Sequence, residues 1–226
     1  REWGDQPYFL PNKAGKVLNN DFFGGNLQGI RSKIPYLKDL GVSVIYLNPI
    51  FEAASNHRYD TSDYMKIDSY LGTEEDLDEL ISTAKSQGIS IILDGVFNHT
   101  GSDSIYFNRK NRYKGIGAYQ SEDSEYFKWF DFQSYPNKYT CWWGIEILPR
   151  INPDIPECGD YFVGKGGVIE KYADLGVAGF RLDVADELPD KFLDEFCKSV
   201  KSLNKEYPQL REKVIGALQR RGLDNW

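Results

Sequence analysis

The sequence predicts an α/β fold built on a parallel sheet, and two observations lead to this prediction. Short apolar runs rich in β-branched residues, typical of buried parallel strands, alternate with stretches whose apolar residues recur at helical spacing. Repetition of strand, helix and strand favours parallel pairing with right-handed crossovers. A chain of 226 residues is long enough to bury one sizeable core.

The predicted elements follow the order helix, strand, helix, strand, long insert, helix, strand, helix, strand. A capping box at Thr73 and Asp76 starts the second helix, and glycines end the second and third. Four strands are fewer than the eight of a closed barrel, which typically needs about 250 residues, so the sheet is open or the barrel incomplete. The predicted helices are Leu27–Leu40, Glu74–Gln87, Gly166–Leu175 and Asp190–Leu203, and the predicted strands are Val42–Leu47, Ile89–Leu93, Ala178–Val184 and Lys213–Gly216.

A long segment between Asn98 and Lys165 interrupts this alternation. It lacks clear periodicity and is crowded with aromatic residues, Trp142 and Trp143 among them. Because a structureless loop of this length is unusual in a compact domain, we predict a small subdomain or a functional flap.

The composition narrows the classes of partner. A net charge of −7 argues against nucleic acid, because phosphate binding requires clustered lysine and arginine. No apolar run approaches the ~20 residues that cross a bilayer, so we expect no membrane partner. The three cysteines are odd in number and widely spaced, and they imply no disulfide framework. The sequence leaves the location open and favours the cytoplasm because no charged-then-apolar leader is visible, with a removed leader or upstream domain as the alternative.

The segment Gly179–Glu187 carries the first candidate chemistry. Side chains alternate along a strand, so Arg181 and Asp183 share one face while Phe180 and Leu182 share the other. In a barrel the inward face at a strand's carboxyl end is the active site, and an arginine there would orient a nucleophilic carboxylate. The alternative is an inert ion pair that caps a strand.

Two further segments follow predicted strands. Asp94 ends the run Ile89–Leu93, with His99 shortly after it, and Tyr59 lies in a polar loop after the first strand. Aromatic faces suit the C–H-rich face of a pyranose. The alternatives are a core histidine and a packing tyrosine, and Asn98 also begins a glycosylation sequon.

Together these segments resemble glycoside hydrolase family 13, the α-amylase family, and within it the neopullulanase, cyclomaltodextrinase and maltogenic amylase branch. The resemblance runs from about Arg1 to Ala217. Six motifs match in order: Phe22–Ile30, Gly41–Phe51, Asn56–Tyr64, Asp94–His99, Leu148–Asn152 and Gly179–Glu187.

The resemblance implies a truncated TIM (β/α)8 barrel, with strands 2 to 5 present and a domain B inserted after strand 3. Residues 1–97 and 166–226 would form the partial barrel, and residues 98–165 would form domain B. The implied function is hydrolysis of α-1,4-glucosidic bonds in an α-glucan oligosaccharide, maltodextrin or starch, with retention of configuration. A glucanotransferase is an alternative, because the same residues serve transfer and hydrolysis.

The resemblance also implies residue roles. Asp183 would be the nucleophile, and Arg181 would orient it. His99 would hydrogen-bond the sugar just before the cut bond, Tyr59 would stack on the same ring, and Asp94 would support the site. Trp142 and Trp143 are candidate sugar platforms.

One family residue is missing. Ala217 occupies the position of the family's acid/base glutamate, and general acid help is typically worth about 10²–10⁴-fold. Full activity of this chain is therefore not expected, and a non-catalytic glucan-binding or inert fragment is the rival reading. Glu187 is the nearby candidate substitute, whereas Glu212 precedes its strand at the wrong end of the barrel.

Calcium and self-association complete the expectations. Relatives often bind calcium near the segment that matches Phe23–Asn26, so Gly24 and Asn26 are candidate ligands. Another family calcium uses the asparagine matching Asn98 together with a histidine where Glu187 stands, which disfavours that second site here. An open sheet has unpaired edges, so the chain should self-associate or cover those edges with its insert and termini.

Overall fold

The computed structural model describes residues 4–8, 10–15 and 21–203 of the chain. None of the helices in these ranges combines the length and the apolar character needed to pass through a bilayer. The helices and strands follow in the order α1 (Leu27–Asp39), β1 (Val44–Tyr46), β2 (Phe51–Ala53), β3 (Thr61–Ile67), α2 (Glu74–Ser86), β4 (Ser90–Gly95), β5 (Phe132–Ser134), β6 (Lys138–Tyr139), α3 (Pro156–Val163), α4 (Val168–Asp174), β7 (Gly179–Leu182) and α5 (Asp190–Leu203).

A parallel sheet in the order β1–β4–β7 lies at the centre of the fold, which confirms the predicted parallel pairing. The register pairs Asp94 of β4 with Arg181 of β7. The three strands are found where they were predicted but are bounded differently, β1 and β7 being shorter. The fourth predicted strand, Lys213–Gly216, lies outside the described residues, as do Glu212 and Ala217.

The predicted helix boundaries rest on local chemistry that the structure contains. The Thr73 hydroxyl accepts the Asp76 N–H, and the Asp76 carboxylate accepts the Thr73 N–H at 2.8 Å, so the capping box is confirmed. Gly88 and Gly176 follow the ends of α2 and α4 with φ of +71° and +94°, which glycine adopts without a Cβ clash. α5 has the predicted bounds, Asp190–Leu203.

An antiparallel hairpin formed by β2 and β3 was not predicted. Its register shifts on both sides of Glu52, so the two strands do not pair residue for residue. The first residues of β3, including Thr61, Ser62 and Asp63, are all buried even though they are polar. The alternation of apolar and polar residues that identifies a strand is therefore absent.

Phe97, just after β4, lies at the centre of an aromatic core. Its ring centroid is 4.9–6.2 Å from those of five neighbours, and full burial of such a side chain contributes about 1.5–3 kcal/mol. The helices α3, α4 and α5 pack against one another around it. The neighbours are Tyr64, Phe162, Phe180, Phe192 and Phe196.

The aromatic insert folds into short elements around rings of its own. Phe107 is fully buried, with its ring 4.8 Å from that of Phe130 and 4.7 Å from that of Tyr139. Backbone hydrogen bonds join the insert to β3, because the Gly101 N–H donates to the Thr61 carbonyl at 2.8 Å. These contacts fix the beginning of the insert beside the beginning of β3.

Candidate active site

Two carboxylates and one arginine meet at the carboxyl ends of β4 and β7. Arg181 Nη1 lies 3.1 and 3.2 Å from the two carboxylate oxygens of Asp94 and 2.7 Å from Asp183 Oδ1. The parallel register sets Asp94 beside Arg181, and alternation along the chain returns Asp183 to the same face. Asp94 is 1% exposed, whereas the Arg181 side chain is 46% exposed. A buried carboxylate thus anchors a guanidinium that presents its charge to Asp183.

Two tyrosines complete the environment of Asp94. The hydroxyls of Tyr46 and Tyr59 both donate to Asp94 Oδ2, the latter at 3.0 Å. Burial raises the pKa of Asp94, although the hydrogen bonds from Tyr46 and Arg181 favour its charged form. Desolvation alone would lower the pKa of Arg181, but the bonds to Asp94 and Asp183 outweigh it and raise the pKa. The guanidinium therefore stays charged.

The chain turns sharply directly after Asp183. The Asp183 N–H donates to the Gly95 carbonyl at 3.0 Å, and Val184 then adopts φ 47° and ψ 41°. A β-branched residue in this left-handed region costs about 1–3 kcal/mol, so the surrounding contacts must hold it there. The turn ends β7 and leads into the short 3₁₀ helix Ala185–Glu187.

His99 is buried beside these groups, and one of its ring nitrogens has no partner among the residues that the structure describes. The residue is 1% exposed, and its Nε2 has no hydrogen-bond partner of good geometry within the described part of the chain. Burial lowers the pKa of His99 to about 4, against the smaller opposing influences of the Tyr59 backbone and the Glu187 charge. A neutral imidazole with a free nitrogen could donate to or accept from a ligand hydroxyl.

The two predicted sugar platforms form a stack with His99, in which Trp142 lies between His99 and Trp143. The ring centroids of His99 and Trp142 are 5.6 Å apart, and those of Trp142 and Trp143 are 5.2 Å apart. Both indole N–H groups donate to Glu187 Oε1, at 3.3 and 3.1 Å. The structure therefore brings Trp142, Trp143, His99 and Glu187 together.

Sequence reasoning missed two residues of the site, Tyr46 and Arg150. Tyr46 ends β1, the same strand position that drew attention to Asp94, and this parallel was the available signal. Arg150 Nη2 donates to the Glu187 backbone carbonyl at 2.9 Å. Nothing in the local sequence indicates this contact, because the two residues are 37 positions apart.

The candidate calcium ligands lie apart from this site, at the start of α1. Asn26 Oδ1 accepts the Gly29 N–H at 2.8 Å as the helix N-cap, so this oxygen is already engaged, and the Arg58 guanidinium lines the same cavity as Gly24 and Asn26. Within the described ranges, no group of three or more histidine, cysteine or acidic side chains could hold a metal ion. These contacts do not favour calcium at Gly24 and Asn26, which stays a prediction.

The second family calcium position is also a poor fit for a cation. A cavity of about 280 Å³ is lined by Asn98, Asp131, Arg150 and Glu187 among others. Because Arg150 already donates to the Glu187 carbonyl there, a divalent ion would meet a resident positive charge.

This site places carboxylates, an arginine and tyrosines at the carboxyl ends of parallel strands, which is where α/β enzymes carry their active sites. The model of the α-amylase catalytic domain matches residues 9–220, and the chain belongs to this family of glycoside hydrolases. The predicted family and enzyme class are thereby confirmed.

Three relatives illustrate the match. The chain is 43% identical to an amylopullulanase of Thermoanaerobacterium saccharolyticum, over 93% of this chain and 18% of that protein. It is 36% identical to neopullulanase 2 of Thermoactinomyces vulgaris, over 85% of this chain and 32% of that protein. The structure of a cyclic α-maltosyl-(1→6)-maltose hydrolase from Arthrobacter globiformis, in complex with that sugar, superposes with a TM-score of 0.75 at 32% identity, covering 89% of this chain and 45% of that one. The chain thus spans less than half the length of each relative.

Proposed function

We propose that this chain carries the nucleophile side of a retaining α-glucan hydrolase, with Asp183 as the nucleophile. The observation that carries the proposal is the bridge that Arg181 makes between Asp94 and Asp183 at the carboxyl ends of adjacent parallel strands. The names of the relatives, which include an amylopullulanase and a hydrolase of a cyclic maltose dimer, support α-glucan as the substrate class.

The chemistry follows from this geometry. Arg181 hydrogen-bonds one oxygen of Asp183, so the carboxylate is oriented and its other oxygen can bond to the anomeric carbon. As that bond forms, the bond from the anomeric carbon to the glycosidic oxygen breaks, and the leaving oxygen takes a proton from a general acid. We assign the sugar contacts to His99 Nε2, which is buried and has no partner in the described part of the chain, and to Tyr59, which Asp94 holds in place.

We further propose that β1, β4 and β7 correspond to the second, third and fourth strands of the family barrel and that residues 98–165 form its domain B. The order of the motifs and the position of the insert directly after β4 support this assignment. The family's proton donor matches Ala217, so the chain by itself should bind a glucan but should not cleave its glycosidic bond, because no group protonates the alcohol leaving group.

A substrate whose leaving group needs no proton tests the nucleophile directly. α-Maltosyl fluoride releases fluoride ion, so attack by Asp183 requires no general acid, and without a general base the maltosyl ester should persist. Intact-mass spectrometry of the 226-residue chain should show one added maltosyl group. The isosteric variant Asp183→Asn should show none, and Asp186→Asn, two residues beyond Val184, is the matched control that should react like the parent.

Two outcomes would contradict the proposal. Labelling of Asp183→Asn to the same extent as the parent would exclude Asp183 as the nucleophile. Absence of any adduct, with maltodextrin binding retained, would favour the rival function of a non-catalytic glucan-binding chain. That rival has one observation of its own, since Trp143 is 80% exposed. Transfer of the maltosyl group to added glucose rather than to water would favour a glucanotransferase.

A further inference from the structure

The pair formed by Trp142 and Trp143, called here the indole pair, lies where the insert meets the turn after β7. Trp143 is 80% exposed, more than any other large apolar side chain in the described ranges. With His99 the indole pair forms a continuous stack, the successive ring centroids being 5.6 and 5.2 Å apart. The stack runs from a fully buried imidazole to an indole almost wholly in solvent.

The backbone at the exposed end of this stack is strained. Trp143 adopts φ 50° and ψ 28°, a left-handed conformation that is uncommon for a bulky side chain. Val184, which begins the turn that carries Glu187, adopts φ 47° and ψ 41°. Strained residues persist only where surrounding contacts hold them, and they cluster at functional sites. Because Trp143 is both exposed and strained, packing against the described residues does not explain its position.

Glu187 is the contact that joins the two strained segments. A single carboxylate oxygen accepts the N–H groups of both Trp142 and Trp143, at 3.3 and 3.1 Å. Arg150 holds Glu187 in turn, through a 2.9 Å bond to its backbone carbonyl. The indole edges are thereby fixed toward Glu187, and the broad face of Trp143 remains open to solvent.

We propose that Glu187 is a positioning residue that holds the indole pair as a platform for a glucose unit of the substrate. This unit is not one of the two joined by the cleaved bond, and its apolar face would pack on the indole. This inference rests on the proposed α-glucan chemistry, but its test does not require the Asp183 carboxylate. A pyranose offers a C–H face that packs on an indole, and its hydroxyl edges stay hydrated, so an exposed ring can serve without further polar partners. Glu187 therefore acts through the two tryptophans rather than as a substitute proton donor.

The proposal is tested by binding in the unreactive Asp183→Asn chain, with maltopentaose as the probe in isothermal titration calorimetry. Adding Trp143→Ala should weaken binding about fivefold to tenfold, as loss of an aromatic contact of moderate strength. Adding Glu187→Ala should weaken it by a similar factor. Glu187→Gln keeps an acceptor oxygen and should restore binding to within about twofold. The matched controls are Tyr36→Ala, an exposed aromatic on α1, and Glu146→Ala, an exposed glutamate of the same insert; both should bind like the parent.

A spectroscopic signature separates positioning from a general structural effect. Two stacked indoles 5.2 Å apart couple their transitions and should give an exciton couplet in the circular dichroism spectrum. The couplet should disappear in Glu187→Ala, although both tryptophans remain, and persist in Glu187→Gln. A couplet unchanged in Glu187→Ala, or maltopentaose binding unchanged in Trp143→Ala, would overturn the proposal.

The remaining outcomes distinguish this inference from the proposed function. If the Asp183→Asn chain does not bind maltopentaose at all, the platform is overturned, whatever maltosyl fluoride does with the parent chain. If the parent forms no maltosyl adduct but Trp143→Ala still weakens binding, the nucleophile is refuted and the platform is supported. If the adduct forms and Trp143→Ala binds normally, the platform alone is refuted.

Discussion

Replacing His99 with glutamine should make the unfolding free energy of the chain less sensitive to mild acid. The residue is 1% exposed, and burial lowers the pKa of His99 from 6.5 to about 4. In the unfolded chain the ring regains its ordinary pKa, so between these values the unfolded state binds more protons than the folded state. This contribution to stability is therefore complete above pH 6.5 and is lost as the pH falls through about 4.

The linkage relation converts the two pKa values of His99, 6.5 and about 4, into a free energy of unfolding. Relative to pH 7, the contribution falls by about 2 kcal/mol at pH 5 and by about 3 kcal/mol at pH 4. Because the ring is almost fully buried, no discount for solvent screening applies. Glutamine does not titrate, so the variant should lack this part of the pH dependence.

The assay is urea unfolding followed by circular dichroism at pH 7, 5 and 4. The informative quantity is the difference in unfolding free energy between parent and His99→Gln at each pH, since the substitution also changes packing at every pH. His57→Gln, at the chain's other histidine, is the matched control for general effects of losing an imidazole. Parallel pH profiles for parent and His99→Gln would refute the reasoning that burial keeps this ring neutral.

Three further predictions concern the stability of the fold. Arg181→Ala leaves the buried Asp94 carboxylate without its cation and should destabilise by about 2 kcal/mol, less than a fully buried pair because the arginine is 46% exposed; an unchanged urea midpoint would contradict this. Phe97→Ala should lower the unfolding free energy by about 3–5 kcal/mol, measured in the same way, and a loss below about 1 kcal/mol would mean that the aromatic core collapses around the gap. Gly101→Ala places a Cβ 2.5 Å from the Asp60 backbone oxygen and should lower the thermal midpoint through a loss of about 1–3 kcal/mol, whereas Gly115→Ala, with open space around its Cβ, should not.

The helices and parallel strands could be predicted from sequence because their signals are local. The signals are a capping box at Thr73, glycines after α2 and α4, and apolar residues at helical spacing on α5, namely Phe192, Phe196 and Val200. Each acts within a few residues of the chain. The carboxyl ends of parallel strands meet at one edge, so Asp94 and Arg181 could be expected to lie together before their register was known.

The hairpin of β2 and β3 could not be predicted, because its signal is not local. Register shifts beside Glu52 disturb the pairing, and Thr61, Ser62 and Asp63 are all buried although they are polar, so no alternation of buried and exposed positions marks the strand. The Gly101 and Ile105 N–H groups of the insert satisfy the backbone carbonyls of Thr61 and Ser62, whereas the buried Thr61 hydroxyl has no hydrogen-bond partner among the described residues.

The sequence by itself determined the family, the parallel strands and the candidates for the site, since each depends on residue type and spacing along the chain. Only the tertiary structure decided which partners those candidates have: Tyr46 on Asp94, Arg150 on Glu187, and one glutamate oxygen for two indoles. Hydrogen bonds between residues 37 to 48 positions apart depend on how the chain packs, and burial, which shifts the pKa of His99, exists only once it has packed.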